Sequence, residues 1–163
     1  MKLLRLTISD YRVLHEFSID FSPLQTSTDA DVRPDYALDF LVGVNGTGKS
    51  TLLRALGEIF QRLAGDTNQA RFGFCIEYWL DKSKQRFRIK ASPTGGQFSV
   101  QTSRSFQEEF EEPRYMDSLT SDILPDLVLG YTTGAEDEWD RSDETDIFAI
   151  GDDALISSME RVD

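Results

Sequence analysis

The chain has 163 residues, 39 % of them hydrophobic, which suits one domain with a core of its own. Its formal charge of −12 is uneven: residues 1–104 hold 14 Lys/Arg against 11 Asp/Glu, and residues 105–163 hold 3 against 18. The acidic part is excluded as a nucleic-acid binder by itself, because phosphate contacts need cations.

The opening "MKLLRLTISDYRVL" is too short and too interrupted by charge for a signal peptide, and no apolar run reaches the length of a membrane span. A single cysteine, Cys75, rules out an intrachain disulfide. These features fit a cytoplasmic protein.

"LLRLTISD" alternates apolar and polar residues and reads as a strand, and "HEFSIDFS" reads as its partner, with "YRVL" between them. His15 lies in the expected turn and receives no role. "PLQTSTDADVRPD" is polar, carries two prolines and reads as a loop. "YALDFLVG" is a short apolar run, expected to be a buried strand. "STLLRALGEIFQRLA" places Leu52, Leu53, Leu56, Ile59, Phe60 and Leu63 at helical spacing, which predicts a helix with one buried stripe.

Between that strand and that helix, Gly43, Gly48, Lys49 and Ser50 meet the pattern G-x-x-x-x-G-K-[ST]. The glycines let the backbone turn tightly and aim several N–H groups at one anion. Lys49 would reach the β- and γ-phosphates, and the Ser50 hydroxyl would bind Mg²⁺. The helix adds the positive end of its dipole. Strand, loop and helix in that order are the context the motif requires.

After "GDTNQA" breaks the helix, "RFGFCIEYWL", "QRFRIKAS" and "QFSVQTS" read as three strands. The short connections "DKSK" and "PTGG" imply that they pair consecutively and antiparallel. Cys75, inside the first of them, reads as a buried structural thiol. "SFQEEFEEPRYMDSLTSDI" reads as mixed and partly helical. "LPDLVLGYTTG" reads as a buried strand centred on Leu127 to Leu129, and the acidic remainder as a loop leading to a short helix, "DDALISSMERV".

These elements in this order resemble the ATP-binding heads of the SMC and RecF class, within the ABC-type ATPases. Three features carry the resemblance. One is the turn Asp10-Tyr11-Arg12-Val13-Leu14 ahead of the loop; another is Asn45 at the third place of Gly43-Val44-Asn45-Gly46-Thr47-Gly48-Lys49-Ser50-Thr51. The third is the run of antiparallel strands just after the helix. "LPDLVLGYTTG" is also similar to a segment of bacterial AAA-annotated ATPases that accompany restriction and phage-defence systems. The fold implied is α/β, a P-loop NTPase of ABC/SMC type. Its N-terminal lobe would comprise the hairpin, loop strand and helix in 1–70, antiparallel strands in 71–104 and an acidic segment with one buried strand in 105–163.

The resemblance implies that Gly43, Asn45, Gly46, Thr47, Gly48, Lys49, Ser50 and Thr51 hold ATP and Mg²⁺, with Thr51 at the α-phosphate and Ser50 at the metal. Arg12 matches an arginine that in this class lies near the nucleotide or senses DNA; a surface arginine on a turn is the plainer alternative. Tyr11 would anchor the hairpin or lie beside the base. The glutamine that normally touches Mg²⁺ has no counterpart at Tyr131-Thr132-Thr133. Hydrolysis in the class also needs a strand ending in Asp-Glu, a signature loop from a partner head and a histidine. The nearest match to the acidic strand, "DIFAIGDD", is interrupted by Gly151, so Asp152 and Asp153 read as helix-start residues. The expectation is therefore the N-terminal part of a longer ATPase that dimerises through a second head, acts with DNA or an effector subunit, and serves phage defence or, alternatively, DNA repair. A module that binds nucleotide without hydrolysis is a further alternative. A GTPase or nucleotide kinase fits less well, since no Asn-Lys-x-Asp is present.

Overall fold

A computed structural model of the chain describes residues 1–21, 40–44, 46–66, 70–105, 108–126, 128–131 and 147–150. The first ten-residue strand, β1 (Lys2–Tyr11), turns through Arg12 and Val13 into β2 (Leu14–Asp20), with Tyr11 opposite Leu14 and Asp10 opposite His15. Arg12 takes a left-handed backbone, φ 55°, which the two-residue turn demands. His15 is therefore the second residue of β2 and not part of the turn, which closes one pair earlier than expected.

The three strands expected after the helix form as β3 (Phe74–Leu80), β4 (Gln85–Ala91) and β5 (Phe98–Ser103), and a short β6 (Arg114–Met116) follows. With the hairpin they make a six-stranded sheet in the order β2-β1-β3-β4-β5-β6, antiparallel at every junction. Alternation puts Leu4, Leu6, Ile8, Ile76, Tyr78, Phe87, Ile89, Phe98 and Val100 in the core.

Helix α1 (Lys49–Leu63) covers that core with Leu52, Ala55, Ile59, Phe60 and Leu63. Leu56 is half-buried, and Leu53 leaves the predicted stripe, facing solvent. Each fully buried aliphatic or aromatic side chain contributes about 1.5–3 kcal/mol, so this interface is what fixes the helix to the sheet. A polar fastener sits at its far end. Arg62 is buried, donates to the carbonyls of Ala70 at 2.7 Å and Ser92 at 2.9 Å, and lies between the Phe74 and Phe98 rings.

On the opposite face of the sheet the Glu77 carboxylate, almost fully buried, accepts from both Arg86 and Arg88. The two guanidinium groups lie over the Phe110 ring, 4.4 and 3.8 Å from its centre. Cys75 is half-buried on this side of β3, and burial pushes its thiol up from the ordinary value.

Three expectations need correction. The apolar run ahead of the glycine loop is not a buried strand over 40–44: Phe40, Val42 and Val44 are exposed, and only Leu41 packs against the core. Among the described residues no strand is hydrogen-bonded to it, so it lacks the ladder bonds that make an apolar segment a strand. Residues 36–39 lie outside the described residues. The described part of 105–123 holds no helix but β6 and turns. Glu108, Glu109, Glu111 and Glu112 would repel one another at helical spacing; instead the Glu111 N–H donates to the Thr102 carbonyl at 2.9 Å, and Thr102 Oγ1 donates to the Glu111 carboxylate. Finally, the acidic remainder contains a strand. β7 (Val128–Tyr131) pairs antiparallel with β8 (Ile147–Ile150) in a two-stranded sheet beside α1. Leu127, Thr132 and Thr133 lie outside the described residues, as do Asp152, Asp153 and the helix expected from them.

Candidate functional site

Gly48 is the N-cap of α1, at φ 92°, and its carbonyl accepts the first helical bond from the Leu52 N–H at 2.8 Å. Gly46 is also left-handed, at φ 84°. Both positions favour glycine because a Cβ strains this backbone. No side chain caps the helix, and no acidic residue occupies its first turn. The amides of the first turn and the positive end of the helix dipole therefore face outward without a built-in anion.

Lys49 folds over the loop. Its Nζ donates to the carbonyls of Gly43 at 2.7 Å and Val44 at 2.8 Å. Thr47 Oγ1 donates to the same Val44 carbonyl at 2.8 Å, tightening the turn from the other side. Ser50 is exposed and Thr51 half-buried on the first turn of the helix. The structure thus brings together Gly43, Gly46, Thr47, Gly48, Lys49, Ser50 and Thr51. Asn45 lies outside the described residues.

The β1–β2 turn reaches the same place. A Cβ built on Gly48 would stand 3.2 Å from Val13 Cγ2 and 3.3 Å from Leu14 Cδ2, so the hairpin turn rests directly on the loop. Arg12, next to Val13, is exposed, and its guanidinium lies 5.5 Å from the centre of the Tyr11 ring. Tyr11 donates its hydroxyl to the Glu58 carboxylate on α1, and its ring packs on Phe72 at 4.4 Å between centres. Burial, and then the bond to Glu58, hold the phenol well above its ordinary range. Of the two roles expected of Tyr11, this geometry is that of the hairpin anchor.

Glu58 and Phe72 escaped the sequence reading. One signal was available: Glu58 is the only acidic residue in "KSTLLRALGEIFQRL". His15 pairs with Asp10 at 2.5 Å, both exposed.

A glycine loop with two left-handed glycines, a lysine folded over it and an uncapped helix behind it is the signature of the P-loop nucleotide-binding class. The comparison with protein families agrees: the chain belongs to the AAA ATPase domain family, whose model matches residues 1–119. That span takes in the hairpin, the loop, α1 and the six-stranded sheet, and ends before β7. Membership implies that the domain binds a nucleotide. No curated protein and no solved structure matches the chain. Among the described residues no helix is long and apolar enough to cross a membrane, and no cluster of three or more His, Cys, Asp or Glu could hold a metal ion.

Proposed function

We propose that the chain binds ATP with Mg²⁺ through residues 43–51, as the N-terminal part of an SMC/RecF-like, ABC-type ATPase. The observation that carries this reading is the loop itself. Gly48 is turned and backed by the hairpin, Lys49 sits within reach of the loop's centre, and the first-turn amides carry no cap of their own. A polyphosphate would supply the anion that this end lacks. Lys49 would exchange the Gly43 and Val44 carbonyls for phosphate oxygens, and Ser50 would offer its hydroxyl to the metal.

Arg12 stands on the turn that touches the loop, which favours a role near the nucleotide over that of an unrelated surface arginine. The hairpin ahead of the loop and the antiparallel strands behind it support the SMC/RecF-like assignment. In this reading the groups that orient water and complete the transition-state charge come from elsewhere, including a second head, and the assembly serves phage defence with DNA or an effector subunit.

The test is calorimetric titration of the chain with Mg-ATP. Lys49→Ala removes a charge-assisted contact worth about 1.5–3 kcal/mol, so affinity should fall about tenfold to a hundredfold. Equal affinity in both folded proteins would remove Lys49 from the role given to it.

A further inference from the structure

Gly48 has two supports. One is α1, which it caps; the other is the pair Val13 and Leu14, which close on it from the hairpin. Leu14 is buried in the core, but Val13 is 61 % exposed and only loosely held by its surroundings. Apolar contact is non-directional and does not fix the hairpin's position along the helix. A hydrogen bond does. A bond of that kind between the turn end of β1 and α1 joins the Tyr11 hydroxyl to the Glu58 carboxylate, across 47 positions of sequence. Phe72, buried, holds the ring from the other side. Glu58 is ten residues along α1 from Gly48, about 15 Å at the helical rise; Tyr11 is two residues from Val13. The hairpin therefore meets the helix at two separated points, one polar and directional, the other on the loop.

We propose that Tyr11 and Glu58 are positioning residues for the phosphate loop: their hydrogen bond sets where the Arg12–Val13 turn rests on Gly48, and so how the loop's amides face a polyphosphate. The inference rests on the ATP-binding reading above. It assigns Tyr11 no contact with the nucleoside, because its hydroxyl is committed to Glu58 and its ring to Phe72.

The experiment titrates the chain with two ligands, Mg-ATP and Mg-tripolyphosphate, the second having no base or sugar. Tyr11→Phe and Glu58→Ala should each weaken both ligands by the same factor, about five- to tenfold. The double variant should be no weaker than either single one. Glu58→Gln keeps an oxygen acceptor and should stay within about twofold of the parent. Tyr78→Phe is the control for general loosening: it also deletes a tyrosine hydrogen bond, to the Ile123 carbonyl, but lies beside Phe60 towards the far end of α1. It should lower the melting temperature as Tyr11→Phe does and leave both affinities unchanged. Unaltered binding in Tyr11→Phe overturns the proposal. So does weakening confined to ATP, which would put Tyr11 at the nucleoside, and so does an equal loss in Tyr78→Phe. If the parent chain binds neither ligand, the phosphate-binding reading itself falls, and the positioning role with it; that result is separate from a parent that binds and a Tyr11 variant that does not differ.

Discussion

The two left-handed glycines of the loop allow the hairpin contact to be weighed. In Gly46→Ala the new Cβ meets no atom within 4 Å, so the variant bears only the strain of φ 84°. A left-handed backbone costs an L-residue about 1–2 kcal/mol, partly offset by the lower entropy of the unfolded chain, leaving about 1 kcal/mol. In Gly48→Ala the same strain applies at φ 92°, and the Cβ also falls 3.2 Å from Val13 and 3.3 Å from Leu14. Val13 is exposed enough to retreat, whereas Leu14 is buried and is not. Overpacking of this kind costs about 1–3 kcal/mol, and with one neighbour free to move the lower end applies. Gly48→Ala should then lose about 2 kcal/mol in urea unfolding, about 1 more than Gly46→Ala. Adding Val13→Ala to Gly48→Ala should recover little of that excess, because the buried Leu14 sets it. If the two glycine variants unfold at the same urea concentration, the turn does not rest on the loop.

Other outcomes can be checked alongside. Glu77→Ala leaves two partly buried guanidinium groups without their carboxylate and should cost about 3 kcal/mol of unfolding free energy by urea titration. Arg62→Met fills similar space but abandons the carbonyls of Ala70 and Ser92, and should cost about 2–3 kcal/mol in the same assay. Burial raises the Tyr78 phenol above its ordinary value, so the folded state holds this proton more tightly than the unfolded state. The stability this contributes is complete below about pH 10 and is lost above it as the unfolded phenol ionises. Alkaline unfolding curves of Tyr78→Phe should therefore be flatter than those of the parent above that pH.

What the sequence made legible was whatever depends on local pattern. The loop is legible in four residues at fixed spacing, and α1 in apolar positions at helical intervals. The alternation in 71–102 gave three strands, and their short connections gave the pairing. Failures came where a distant partner decides the outcome. Residues 40–44 are apolar enough for a strand, but a strand needs a neighbour, and none is supplied by the described residues. The glutamates near 110 looked compatible with a helix until Thr102 and Gln101 offered their backbone and side-chain bonds. At the site, Gly48 and Lys49 announced themselves, whereas Glu58 did not. A lone glutamate on an amphipathic helix looks like solvation until the fold brings Tyr11 beside it. Arg62 was invisible for the same reason, since a basic residue in a last helical turn normally faces water.

Arg62 has a mechanical meaning. Bonded to two carbonyls from different segments and flanked by two rings, it gives α1 a stationary hinge pin at the end remote from the loop. A helix pinned there resists sliding along the sheet, and a displacement should take the form of a swing or roll about the pinned end. Displacement then grows with distance from Arg62 and is greatest at Lys49, about 20 Å away along the helical rise. Whatever shifts at the loop should show in the first turns of α1 and in the hairpin turn, while the backbone around Ser92 stays still.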